Sequence, residues 1–177
     1  SGVVNIGIEG QMLGTAFVAF FAAAASGSLL VGALAGMGTG LLMGSFLAWT
    51  TVKWQMDQII AGVVLNIVAT GLTSFYYRQG ATLPRVMPHI EVPLLSKIPL
   101  IGPVFFSGGP FALFAIGAAV LLHYLLFFTR WGLRTRAVGE HPHAADTAGI
   151  DVIRMRLLNV TIAGALAGAA GAYLSME

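Results

Sequence analysis

TRWGLRTRAVGEHPHAADTAGIDVIRMR, Thr129 to Arg156, is a polar island between two long apolar runs. It holds five of the nine basic residues (Arg130, Arg134, Arg136, Arg154 and Arg156) together with Glu140, Asp146 and Asp151. Helix signals stand inside it. Pro142 suits a first helical position, where its missing N–H would have no intrahelical acceptor. Gly149 suits the residue just past a helix end, where a left-handed conformation is needed. Asp151 offers a capping oxygen to the next helix. The pattern predicts a short helix over Pro142–Ala148, with Ala144, Ala145 and Ala148 forming a small-residue face. An ordinary basic loop beside membrane spans is the other reading. It leaves the paired start and stop signals unexplained.

The sequence on either side sets the solvent. Of the 177 residues 57% are hydrophobic and 9% charged, against about 25% charged in a soluble domain. Too few charges remain to cover a soluble surface, so an integral membrane protein is expected. Twenty-three glycines fit helices packed backbone to backbone in lipid, and the alternating ten-residue segments of a transmembrane barrel are not visible. The expected fold is an all-α, polytopic helical bundle with about five spans. The formal net charge of +2 and pI of about 9.3 reflect positive-inside loops and are no sign of nucleic-acid binding. The chain has no cysteine, which excludes disulfides and thiolate metal sites.

The first span, Asn5–Ala25, opens on NIGIEGQ, which sets Asn5, Glu9 and Gln11 among glycines and apolar residues. A carboxylate at membrane depth is costly unless paired or hydrated. Irregular backbone survives there only beside protein or a water-filled cavity. Gly7 and Gly10 would permit a break in the helix beside a substrate path; an interfacial lead-in is the alternative. After the turn at Ser26-Gly27-Ser28, Leu29–Thr50 carries Gly32, Gly36, Gly40 and Gly44 at every fourth position, a groove for close packing. Thr51–Asp57 is a short polar loop with Lys53 and Trp54 as interfacial anchors. The third span, Gln58–Tyr77, aligns Asn66, Thr70, Thr73 and Tyr77 on one face, with Asn66 and Thr70 candidates for the path. Arg78–Gly109 contains most of the seven prolines and cannot form a long helix; an outer loop is expected. Phe111–Phe128 is the fourth span, with His123 read as a helix–helix hydrogen bonder. Val152–Ser175 is the fifth, with Gly164, Gly168 and Gly171 as another small face. Thr51–Asp57 and Thr129–Arg156 share a side and carry Lys53 and the five arginines, against Arg78, Arg85 and Lys97 in the outer loop. Basic residues favour the cytoplasm, so residues 130–156 are expected there.

Three stretches resemble one family. T-x-W-G-x-R-x-R-A-V-G-E-x-P-x-A-A-x-x-A-G-I-x-V, VVNIGIEGQML (Val3–Leu13) and DQIIAGVVLNIVATGLTSF (Asp57–Phe75) are similar, in order and spacing, to ABC importer permeases. The simple-sugar and nucleoside branch, related to ribose and branched-chain amino-acid permeases, is the nearest. The resemblance implies that the first stretch lies beside the translocation path as a broken helix. It also implies that Glu140, His141, Pro142, His143, Ala144, Ala145, Asp146, Ala148 and Gly149 form a coupling segment docking on a separate ATP-binding subunit. Further implied partners are a second permease chain, identical or similar, and an external or periplasmic binding protein that delivers a small hydroxylated solute. The setting would be the inner or plasma membrane of a prokaryote. Permeases of that family are longer at both ends, so this sequence is expected to be a partial permease domain. An ion-coupled secondary transporter, with Glu9 on the ion, is the alternative.

No G-x-x-x-x-G-K-[ST] phosphate loop is present, so ATP binding is assigned to a partner and the chain is expected to be non-catalytic. His141, His143, Glu140 and Asp146 would spread around a short helix axis and match no zinc spacing. Neither metal nor cofactor is expected.

Overall fold

A computed structural model describes residues 2–78 and 109–176, with 109–113 described for backbone only. Helices α1 (Ile8–Ser26), α2 (Leu29–Ala48), α3 (Gln58–Arg78), α4 (Gly109–Phe128), α5 (Arg130–Glu140), α6 (Pro142–Thr147) and α7 (Val152–Met176) follow in order, and a π-helical turn at Trp49–Lys53 extends α2. There is no strand among the described residues. Four helices are long and apolar enough to cross a membrane: α1, α2 with its π turn, α3 and α7. A fifth span is counted if α4 and α5, broken at Thr129, are taken as one. The all-helical, multi-pass expectation of about five spans therefore holds. The expected outer loop falls outside the described residues apart from its flanks, Arg78 and Gly109.

The described residues form two compact units, one from 2–78 and 134–176 and one from 109–133. The first unit is organised inside out relative to a soluble domain. On α2 the buried positions are Gly32, Gly36, Gly40 and Gly44, while Leu30, Leu34 and Leu42 are exposed. A Cβ on Gly40 would stand 2.6 Å from the Gly168 Cα, and one on Gly44 would stand 2.7 Å from the Gly164 Cα. The glycine ladders of α2 and α7 thus mesh backbone to backbone, antiparallel, as the four-residue spacing predicts. Small residues let dispersion contacts replace a hydrophobic drive that lipid cannot supply. Gly32 meets Ala23 and Gly36 meets Ala19, so α1 lies antiparallel to α2. Gly10 meets Asn66 and Gly14 meets Ala69, so α3 runs parallel to α1. Gly171 faces α1 at Met12 and Thr15 rather than α2.

Helix ends follow local chemistry. Asp57 caps α3 by accepting from the N–H groups of Ile59 and Ile60 at 2.8 and 3.2 Å. Asp151 caps α7 as expected, accepting from Arg154 N–H at 2.9 Å and pairing with the Arg154 guanidinium at 3.1 Å. Lys53 lies 4.5 Å over the Trp49 ring, and Trp54 is exposed, as anchors at an interface would be.

In the second unit, Thr129 makes the joint between α4 and α5. Its hydroxyl donates to Leu125 O and accepts from Gly132 N–H. Gly132 presses on the last carbonyls of α4, where a Cβ would overlap Leu125 and Leu126. The His123 ring lies 4.8 Å from that of Phe127 on its own helix, and among the described residues no hydrogen bond joins it to another helix.

Helix α5 was not expected within the polar island. Its buried positions Gly132, Thr135 and Val138 recur every three residues, with Arg130, Arg134 and Arg136 exposed. Thr135 is joined to Asn159 of α7 by a hydroxyl–amide contact, with Asn159 Nδ2 donating at 3.3 Å.

Candidate functional site

The start of α1 is irregular, and the reason lies on α3. Residues 2–5 have no regular structure, a turn follows at 6–7, and the helix begins at Ile8. Irregular backbone here fits both sequence readings, a break in the helix and an interfacial lead-in, and the segment is held against protein. Val4 N–H donates to Gln58 Oε1 at 2.8 Å. Asn66 Nδ2 donates to Ile6 O at 3.2 Å, and Asn66 Oδ1 accepts from Gly10 N–H at 2.8 Å. Gly7 lies against Gly62, where a Cβ on Gly62 would come within 2.7 Å of the Gly7 nitrogen. Gln58, Gly62 and Asn66 stand four residues apart, so one face of α3 carries the whole segment.

Of the five candidate path residues, the structure groups three at this joint. Asn5 Nδ2 donates to Gln11 Oε1 at 3.0 Å, and Asn66 clamps the backbone between them, at Ile6 and Gly10. Gln11 is fully buried. Glu9 is exposed in the first turn of α1 and makes no contact with the other four; Thr70 lies exposed one turn beyond Asn66. Gln58 and Gly62 were missed by sequence reading, although their spacing to Asn66 is the signal that finds them.

The same segment reaches the polar island. A Cβ on Gly2 would lie 3.5 Å from an Arg156 guanidinium nitrogen and 3.6 Å from Gly139 O. Val3 packs on the core formed by Leu47, Ala48, Leu65 and Val160. Six residues therefore connect the island to the joint on α3.

Helix α6 is fixed at both ends. His141 precedes Pro142 at the first helical position. Gly149 has φ +81°, and the N–H groups of Gly149 and Ile150 donate to Asp146 O and Ala145 O at 2.9 and 3.0 Å. This pair of bonds satisfies carbonyls that a helix end leaves open. The helix ends at Thr147, one residue before the expected Ala148, which serves as its C-cap. The expected three-alanine face is corrected: Ala144 and Ala148 are exposed, but Ala145 is buried at 4%. Residues four apart share a face, and the intervening position is turned about 100° away. Glu140, His141, His143 and Asp146 are exposed. Beside the helix runs an open groove of about 580 Å³ lined by Pro142, His143, Asp146, Ile150, Ile153 and Arg156 among others. The described residues contain no metal-binding group of His, Asp and Glu. Chemically, the arrangement offers hydrogen bonding at the joint and an exposed small-residue patch, Ala144 and Ala148, at α6.

Comparison with known proteins adds the following. Residues 1–177 match the family described as branched-chain amino acid transport system / permease component. The chain is 42% identical to the nucleoside ABC transporter permease protein NupC of Lactococcus lactis, across 97% of this chain and 58% of that one. It is 38% identical to the guanosine ABC transporter permease protein NupQ of Bacillus subtilis, across 97% and 58%. It is 34% identical to the putative glucose ABC transporter permease protein TsgC13 of Haloferax volcanii, across 99% and 55%. The chain thus spans little more than half the length of these relatives. No solved structure matches it.

Proposed function

This chain belongs to the family of branched-chain amino acid transport system permease components, and on that premise we propose that it forms part of the transmembrane subunit of an ABC importer for a nucleoside or simple sugar. The subunit sits in the inner or plasma membrane of a prokaryote, with α5 and α6 on the cytoplasmic side. It pairs with a second permease chain, receives solute from an external binding protein, and leaves ATP hydrolysis to a separate subunit. Asn5, Glu9, Gln11, Asn66 and Thr70 border the solute path.

The observation that carries this reading is helix α6. A six-residue helix with both ends fixed, showing Ala144 and Ala148 outward, is suited to seat in a cleft of another protein without bulky side chains in the way. The remaining coupling residues, Glu140, His141, Pro142, His143, Asp146 and Gly149, frame that face. ATP-driven closure of the partner would then displace α6. Such a displacement does work only if the contact differs between the two states.

Co-purification tests the reading. The full-length permease, expressed with its candidate ATP-binding subunit, is expected to retain that subunit. Ala144→Arg is expected to reduce the retained ATPase by about tenfold or more, as a desolvated charge at a contact costs over 1.4 kcal/mol. Ala145→Arg does not serve, because a buried site would disrupt α6 itself. Retention unchanged by Ala144→Arg would remove α6 as the docking element. A folded wild type that retains no ATPase and whose uptake collapses with an ionophore would be an ion-coupled transporter, with Glu9 the first residue to study.

A further inference from the structure

Gln11 is completely buried, yet its Nε2 has no hydrogen-bond partner, and Asn5 Oδ1 is buried and unmatched in the same way. The two amides share a single bond, Asn5 Nδ2 to Gln11 Oε1. Exchanging O and N in both amides changes nothing essential. One donor and one acceptor are again left over, on side chains already joined. Buried polar atoms are otherwise matched almost without exception, so such a pair calls for an occupant. A hydroxyl is the smallest group that can donate to one such atom and accept from the other.

We infer that Asn5 and Gln11 form the seat for one hydroxyl of the transported solute, and that the seat opens when the segment Gly2–Gly7, which carries Asn5, moves away from Gln11. The inference rests on the importer reading and deepens it. The polar ties of this segment to α3 include Val4 N–H to Gln58 and Asn66 Nδ2 to Ile6 O. No ladder or helix fixes it, and at Gly2 it reaches Gly139 and Arg156 of the polar island. A displacement of that island would pull the segment, part Asn5 from Gln11 and expose both amides to the path. A hydroxyl can come from solute or from a trapped water, and the chemistry of the seat is the same for both.

A cycle of solute and side-chain changes separates the two sources. The full-length permease is reconstituted in proteoliposomes with its ATP-binding subunit and binding protein. Guanosine, uridine, glucose and ribose are assayed, and the imported one is then compared with analogues lacking one hydroxyl each. In wild type, one deoxy analogue is expected to lose about tenfold in uptake efficiency, the usual effect of one lost hydrogen bond. In Gln11→Leu, uptake of the parent solute is expected to fall to that level, and the penalty for the same missing hydroxyl is expected to vanish. Gln11→Met, closer in shape, repeats the test should the leucine variant fail to assemble. Discrimination by the binding protein is common to all variants and cancels in the comparison. If every deoxy penalty is unchanged in the amide-free variants, the seat holds a fixed water and the proposal is overturned. If an assembled wild-type complex imports none of the four solutes, the importer reading falls and takes this inference with it.

Discussion

Asn66 uses both ends of one amide to hold a segment that has no secondary structure of its own. Its position on a polar face of α3 is legible from the spacing of Asn66, Thr70, Thr73 and Tyr77. Its role is not, because its partners Gly10 and Ile6 lie 56 and 60 residues away in sequence, and local periodicity names no partner at that range. Asn66→Leu would leave Gly10 N–H and Ile6 C=O unmatched. Ile6 O is exposed and can be solvated, but the Gly10 N–H is partly buried; an unmatched buried donor costs about 1–3 kcal/mol, so a fall in the thermal midpoint of the detergent-solubilised protein is expected. Asn66→Asp keeps the acceptor for Gly10 and should recover part of the loss. Equal midpoints for wild type and Asn66→Leu would mean that the brace adds nothing to stability. The alanines of α6 teach a related lesson. Composition marks the helix as small, but only its rotation against α7 decides that Ala145 turns in while Ala144 and Ala148 turn out.

At the scale of elements, the glycine ladders were the most legible feature, since a four-residue repeat in an apolar helix has one economical use. Gly40→Ala sets a methyl group against the Gly164 carbonyl and the Gly168 backbone. Overpacking of this kind costs about 1–3 kcal/mol. Gly38, on the same helix, has nothing within 4 Å of where a Cβ would lie. Gly38→Ala should be neutral or stabilising by up to about 1 kcal/mol through helix propensity. The two variants carry the same chemical change two residues apart, so a comparison of their unfolding midpoints isolates the α2–α7 contact. A comparable loss in both would show that glycine acts through chain flexibility instead. Helix α5 escaped notice for the opposite reason. Arginines dominate its composition and disguise the three-residue spacing of Gly132, Thr135 and Val138, and the partner of Thr135, Asn159, lies on a distant helix.

For the whole molecule, sidedness follows from charge and from helix direction taken together. In the first unit, Lys53, Arg134, Arg136, Arg154 and Arg156 stand at one end, and α1, α3 and α7 all start there. Ser26 ends α1 at the far end, one crossing of α2 away from Met56, and both residues are exposed. The chain contains no cysteine, so single substitutions can be read without background. In a full-length permease that is likewise free of other cysteines, Ser26→Cys is expected to react with a membrane-impermeant maleimide in intact cells. Met56→Cys and Thr147→Cys should react only after the membrane is opened or in inside-out vesicles. Labelling of Ser26→Cys and Met56→Cys from one side would break the assignment of α2 as a span. Labelling of Thr147→Cys from outside would place α6 away from any cytoplasmic ATPase. Residues 134–156 lie at the end of the first unit where α1 begins, as the approach of Gly2 to Gly139 and Arg156 shows. A push on α6 would therefore act close to the joint of Asn5, Gln11 and Asn66, without having to cross the bilayer first.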